Sequence, residues 1–308
     1  MNRDLEMNWI AYERPKSISE ALTVLEESDG RARVIAGGTD LILRLKRREL
    51  HADVLVDITG IEELRQIREK DGWIHIGAGV THAEVAKNPL VRKEAKALAD
   101  GCAQVGSPQI RNIATLVGNV ISAQPAGDGA IPLAALEAEV KVASKTGERW
   151  LPLEEAYHGI GLSHIDAFHE VATEVRFKKL GEKGQTRFFR LSRRKALALP
   201  VLNGAVAILL NPGMTQIQEA RIALGPVAKK PFRPKSAEAY LQSKEISPEI
   251  VLEGARIASE EASPRTSLLR GSDFYRKEMI RLYLERTFQD LLESHKNGWQ
   301  ISRDFGSN

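Results

Sequence analysis

The sequence predicts an α+β chain in three pieces, 1–57, 58–180 and 181–308, with breaks near residues 57 and 180. Three observations predict it. Short apolar runs ending in glycine or acid alternate with helix-period stretches through the first piece. The middle piece mixes strands, capped helical turns and a hairpin. From about residue 170 strand-like runs follow one another, and then helices dominate, which is the order of an α+β rather than a doubly wound chain. A length of 308 residues suits two or three domains of ordinary size.

In order, "SISEALTVLEE" has Ile18, Ala21, Leu22 and Leu25 on one helical face, and "ARVIA" is a short strand. "TDLILRLKRRE" is a helix with Thr39 or Asp40 as N-cap, and "DVLVDI" is a buried strand. "GWIHIGAGV" alternates and ends in glycines. "THAEVAKN" follows with a capping box from Thr81 to Glu84. "PLVRKEAKALADG" reads as one helix, with Pro89 in its first turn and Gly101 past its end. "SPQIRN" is a capped single turn, and "TLVGNVISAQPAGDGA" is expected to be a long irregular segment. A helix, "IPLAALEA", and a hairpin turning at Lys-Thr-Gly, "VKVASKTGERWLPL", close the region. "EVATEVRF", "TRFFRLS", "VLNGAVAILL" and "QIQEARIALG" are strands joined by turns such as "NPG". "SPEIVLEGARIASEEA" and "SDFYRKEMIRLYLERTFQDLLESH" are helices, the second running toward Gly298 with its apolar face as core.

Composition narrows the function. Lys and Arg number 44 against 41 Asp and Glu, a net charge of +3 that argues against a dedicated nucleic-acid binder. No apolar stretch approaches the roughly 18 residues of a membrane span, and the acid-bearing N-terminus is no signal peptide, so a cytoplasmic location is expected. The one cysteine, Cys102, is expected to be a small buried residue near a helix end. One thiol makes no internal disulfide and no cysteine-held cluster.

Two loops carry the chemistry. In "VIAGGTDLIL" a strand stops at Gly37-Gly38 and a helix starts. Glycine permits positive φ and removes the Cβ, so main-chain N–H groups can approach an anion at the start of that helix. A plain tight turn is the alternative. The loop is no Walker motif, because Thr-Asp-Leu follows the glycines, and no Rossmann fingerprint, because Leu41 stands where a third glycine belongs. The second loop is long and apolar, which suits function. Thr115, Asn119 and Ser122 offer side-chain hydrogen bonds there; Asp128 is either a ligand or a cap for the next helix.

The segments "VIAGGTDLILRLK", "LVDITGIEEL", "IHIGAGVTHAEV", "GSPQIRNIATLVGNVISAQPAGDGAIPLAALEAEV" and "SPRTSLLRGSDFYRKEMIRLYLER" span nearly the whole chain. In that order they resemble the flavin-binding medium subunit of the xanthine dehydrogenase and carbon monoxide dehydrogenase family of molybdenum hydroxylases. The resemblance implies a two-part FAD-binding domain of the PCMH/VAO type, then a C-terminal domain of an antiparallel sheet and helices. It implies FAD as cofactor. Ile35 and the backbone of Ala36, Gly37, Gly38, Thr39 and Asp40 would wrap its pyrophosphate. Thr115, Gly118 and Asn119 would bind from the other side, Asp128 at the ribityl or ribose portion, and Arg190 beside the flavin. Val117 departs from the family's usual glycine.

The resemblance further implies electron transfer from a partner's iron–sulfur clusters to NAD or another acceptor. The partners are a small [2Fe-2S] subunit and a large molybdenum-cofactor subunit. No catalytic residue is expected in the chain itself, and no metal ligands: His164 and His169 are five apart, and His75 and His82 read as structural. The other readings are an autonomous flavin-dependent reductase, comparable to the cell-wall sugar reductases, and a nucleotide-binding module without turnover. Of the basic runs, "RLSRRK" is the one expected to face phosphates or an acidic partner surface, because it follows the strand carrying Arg190.

Overall fold

The computed structural model describes residues 9–194 and 197–296. The expected helix end at Gly298 lies outside them. The first piece contains β1 (Ala11–Glu13), α1 (Ile18–Glu27), β2 (Ala32–Ile35), α2 (Leu41–Lys46) and β3 (Val54–Asp57). Its strands form a parallel sheet in the order β1-β3-β2. Helix α1 starts where the Ser17 hydroxyl accepts the Glu20 N–H, and it buries Ala21, Leu22 and Leu25.

The middle piece runs through β4 (Ile67–Lys70), β5 (Trp73–Gly77), α3 (His82–Lys87), α4 (Pro89–Glu94), α5 (Lys96–Gln104), α6 (Pro108–Arg111), α7 (Leu116–Ile121) and α8 (Ala130–Ala135). The predicted hairpin follows as β6 (Glu139–Ser144) and β7 (Gly147–Pro152), then a small pair, β8 (Tyr157–Gly159) and β9 (Leu162–Ser163), and finally β10 (Val171–Lys178). The antiparallel sheet has the order β4-β5-β10-β6-β7.

Four expectations change here. Strand β10 does not begin the later run of strands; it lies between β5 and β6, at the centre of the middle sheet. The single helix predicted from Pro89 is two, because Ala95 leaves helical geometry at φ −146° and ψ 58°. Gly101 is not beyond the end of the second. It sits inside α5, where a Cβ would come within 2.2 Å of the Asp128 carbonyl oxygen, so its job is close approach and not capping. Finally, the segment expected to be irregular contains α7. Its start is capped by the Thr115 hydroxyl, which accepts the Gly118 N–H, and it buries Leu116, Val117 and Val120.

The last piece pairs β11 (Gly184–Leu191), β12 (Leu202–Leu210) and β13 (Ile217–Gly225) antiparallel in that order. Helices α9 (Lys235–Leu241), α10 (Pro248–Glu261) and α11 (Asp273–Lys296) follow. One face of the sheet, with Val206, Ile208, Ile222 and Leu224, packs on Val251, Ala255, Ile280, Leu284 and Phe288 of these helices. The apolar face of α11 is core, as its pattern predicts. The other face brings Ala205 and Ala223 against Ala97, Ile131 and Ala135, so a seam of small side chains joins the last piece to the middle one. Among the described residues no helix is long and apolar enough to cross a membrane.

Candidate functional site

Three loops meet where the first and middle pieces touch. Loop 36–40 leaves β2 with Gly38 at φ +67°. Beside it, Gly37 lies so close to the second loop that a Cβ would sit 2.3 Å from the Ile113 carbonyl oxygen and 2.8 Å from the Ala114 Cα. The Gly-Gly pair therefore does more than clear space for an anion: it lets one loop dock on the other. The second loop is fixed in turn. The His82 N–H donates to the Ala114 carbonyl at 2.9 Å and the Leu116 N–H to Val80 at 3.1 Å, which pins Thr115 beside Thr81. Thr81 closes the predicted capping box with Glu84, whose carboxylate accepts the Thr81 N–H at 2.7 Å.

These loops line a cavity of about 1340 Å³. That exceeds the roughly 300–1,000 Å³ of ordinary small-molecule pockets. The backbone toward it is unclaimed: among the described residues the N–H groups of Gly37, Gly38, Thr39 and Asp40 donate to no group of the chain. Asp40 stands at the N-cap of α2 but makes no side-chain cap hydrogen bond. Arg65 and Lys87 line the same cavity. Unpaired N–H groups in sequence, flanked by cations, are what a phosphate-bearing ligand requires.

The predicted residues divide into two groups. Ile35, Ala36, Gly37, Gly38, Thr39 and Thr115 line the cavity, and Asp40 is exposed at its edge. Gly118 and Asn119 lie on α7, Gly118 exposed and its N–H taken by Thr115 at 3.1 Å. Among the described residues the Asn119 Oδ1 is buried without a hydrogen-bond partner, facing the Gly127–Gly129 turn. Asp128 and Arg190 are not on the cavity. They form a buried ion pair, with the Arg190 Nε 3.1 Å and 3.2 Å from the two carboxylate oxygens. Asn203 Nδ2 donates to Asp128 Oδ1 at 2.8 Å, and Arg190 Nη2 donates to the Ala198 carbonyl. Asp128 does not cap α8. Burial pushes its carboxyl up to about 6, against the pull of Arg190 and Asn203.

His82 is fully buried, its Nδ1 3.2 Å from the Cys102 Sγ; burial, with Arg111 adding to it, lowers its pKa to about 4. Cys102 is buried near the end of a helix as expected, in the last turn of α5, and burial pushes its thiol up. His164 pairs with His158 at 2.8 Å rather than with His169. Val117 is buried in the main core, where α7 accommodates it.

Sequence reading missed the floor at the end of β3. There the Thr59 N–H and hydroxyl donate to Asp57 Oδ1 at 2.9 and 2.6 Å, and the Tyr12 hydroxyl donates to Oδ2 at 3.0 Å. Burial and Asp57 together raise the Tyr12 pKa. The signal was present as Asp-x-Thr in "LVDITG", a side chain that folds back on its own backbone two residues on.

A cleft between two loop-bearing α+β units, with free main-chain N–H groups at its seam, defines a dinucleotide-binding protein. Residues 5–177 match the FAD binding domain in molybdopterin dehydrogenase, and residues 187–291 match the CO dehydrogenase flavoprotein C-terminal domain. The chain is 31% identical over 287 residues to the nicotinate dehydrogenase FAD-subunit of Eubacterium barkeri, covering 92% of this chain and 96% of that one. Its fold is similar to carbon monoxide dehydrogenase from Hydrogenophaga pseudoflava, with a TM-score of 0.84 and 28% identity over 91% of this chain and 96% of that one. Quinoline 2-oxidoreductase from Pseudomonas putida 86 gives 0.83 and 28% over 92% and 97%. The chain belongs to the family of FAD-binding subunits of molybdopterin dehydrogenases: it is a subunit of an FAD-dependent oxidoreductase.

Proposed function

We propose that this chain is the electron-transfer subunit of a molybdenum hydroxylase complex, taking electrons from a partner's iron–sulfur clusters and passing them to an external acceptor. The observation that carries the reading is the run of four unclaimed N–H groups, Gly37 to Asp40, at the seam of a cavity larger than one ring system needs. Those N–H groups would hold the diphosphate of FAD, with Ile35, Ala36 and Thr115 lining the same cavity and Gly118 and Asn119 following Thr115 on α7. Asp128 and Arg190 act behind that loop: their ion pair fixes the turn against which Asn119 packs. When bound, flavin supplies electron transfer in single or paired steps, which joins one-electron clusters to a two-electron acceptor. The chain's own part is to bind, orient and shield it. Cys102 alone cannot hold a cluster, so the iron–sulfur and molybdenum centres belong to other subunits. Relatives are named as subunits of such assemblies, among them the carbon monoxide dehydrogenase medium chain of Hydrogenophaga pseudoflava.

The test separates diphosphate from ring recognition. Flavin-free protein is titrated with FAD, FMN and riboflavin, following the quenching of flavin fluorescence. FAD should bind at least roughly 100-fold more tightly than FMN, a gap of about 2.7 kcal/mol. ADP should compete with FAD. Equal binding of FAD and riboflavin would overturn the assignment of the loop amides.

A further inference from the structure

Two buried polar atoms beside the second loop are left over, one on each of two helices. His82 is fully buried at the start of α3, and its Nε2 meets no hydrogen-bond partner among the described residues. Asn119, on α7, leaves its Oδ1 in the same condition. Buried polar atoms are nearly always bonded, so each of these marks a place where a partner belongs.

The two atoms border one small space. A Cβ placed on Gly129 would lie 3.1 Å from His82 Cε1, the ring carbon bonded to Nε2, and 3.2 Å from Asn119 Oδ1. A Cβ on Gly127 would come nearer still to Oδ1, at 2.8 Å. The two glycines keep that space open.

Their hydrogen-bonding roles are complementary. On the other side of the His82 ring, Nδ1 lies 3.2 Å from the Cys102 Sγ. Burial keeps both groups neutral, pushing the thiol up and lowering the imidazole to about 4. Between a neutral thiol and a neutral imidazole the nitrogen is the better acceptor, so the thiol donates to Nδ1. The ring proton then sits on Nε2. Nε2 is a donor without an acceptor, and Asn119 Oδ1 is an acceptor without a donor. They are in no direct hydrogen bond. One buried water between them satisfies both, which is the usual role of such waters.

We infer that Cys102, His82 and Asn119 form a buried chain of hydrogen bonds, completed by one water beside Gly129, that holds the Asn119 side chain in a single orientation. Oδ1 is turned inward, and the Nδ2 amide, which donates to no group among the described residues, is left for the cofactor. His82 and Cys102 do not line the cavity, so they are positioning residues. The inference deepens the proposed function and rests on its placing of Asn119 at FAD.

Two measurements on the full chain test it. Magnetic resonance of isotope-labelled histidine in the flavin-loaded protein, with His82 assigned by its loss in His82→Gln, reads the tautomer near neutral pH. The proton should be on Nε2; a proton on Nδ1 overturns the inference. Fluorescence titration of flavin-free protein with FAD then reads the coupling. Cys102→Ala removes the donor that fixes the tautomer and should weaken FAD binding roughly 3–10-fold, the worth of one misdirected hydrogen bond. Cys102→Ser restores a donor and should recover most of that loss. With Asn119→Leu already in place, Cys102→Ala should have no further effect on FAD, because the side chain it orients is gone. A purely structural role would lower the urea midpoint of Cys102→Ala and leave its FAD affinity unchanged. That result, or equal losses of affinity with and without Asn119, overturns the inference and leaves the proposed function standing. Asn119→Leu that binds FAD as tightly as the wild type overturns the placing of Asn119 at the cofactor, and the inference with it, whichever tautomer is found.

Discussion

Gly37 and His82 show how much one position can decide at this site. A methyl group at Gly37 would be pushed into the Ile113 carbonyl, a backbone atom that cannot swing aside. Gly37→Ala should therefore separate the two loops, destabilising the flavin-free protein by about 1–3 kcal/mol, the range of overpacked sites. It should weaken FAD binding as well, checked by urea unfolding and by fluorescence titration. His82 makes a pH prediction. Its folded pKa of about 4 lies below the ordinary 6.5, so the folded chain holds it neutral while the unfolded chain takes up a proton. Its contribution to stability is complete above pH 6.5 and is lost as pH falls toward 4, about 3 kcal/mol across that window. Urea midpoints between pH 7 and 4.5 should fall less steeply for His82→Gln than for the wild type; parallel slopes would show that His82 does not titrate on unfolding.

Thr115 ties element formation to the site, because its hydroxyl starts α7 while its backbone neighbours hold the second loop to Val80, in the turn after β5, and to His82 at the start of α3. Thr115→Val keeps the shape and removes the cap, which should lower stability by about 1 kcal/mol, with Thr115→Ser close to the wild type. Urea unfolding of flavin-free protein measures it. This helix also shows what was legible in the sequence and what was not. Elements with strong local grammar were readable: the apolar face of α1, the Thr81 cap, the Lys-Thr-Gly hairpin, and the apolar face of α11. In "TLVGNVISAQPAGDGA" the glycines suggested irregular backbone, and six residues of helix escaped notice because burial of Leu116, Val117 and Val120 outweighs weak propensity. Ala95 broke a helix that its own sequence favours, and β10 joined a sheet begun more than a hundred residues earlier, at Ile67. Both outcomes depend on contacts distant in sequence, which periodicity does not carry.

The same limit explains the site. The first loop could be read residue by residue, because strand, Gly-Gly and helix are adjacent; the partner of Asp128 could not, being Arg190, 62 residues away on another sheet. That pair, with Asn203, crosses the seam between the middle and last pieces, where the packing side chains are mostly alanine and contribute little area. A buried ion pair between such surfaces has a specific signature. Removing one partner leaves the other charged and unsatisfied in a low-dielectric place, so Asp128→Ala and Arg190→Leu should each cost about 3–5 kcal/mol. Removing both takes away two desolvation penalties together with one attraction. The double variant should then be far more stable than the sum of the single effects predicts, with a coupling of about 1–3 kcal/mol in a urea-unfolding cycle. Since Arg190 also holds the Ala198 carbonyl, each single variant should loosen residues 197–200, seen as faster amide exchange there than in β12. Additive effects in the cycle, with unchanged exchange, would mean that the seam is held by its alanines and that the ion pair only orients the turn at Asp128.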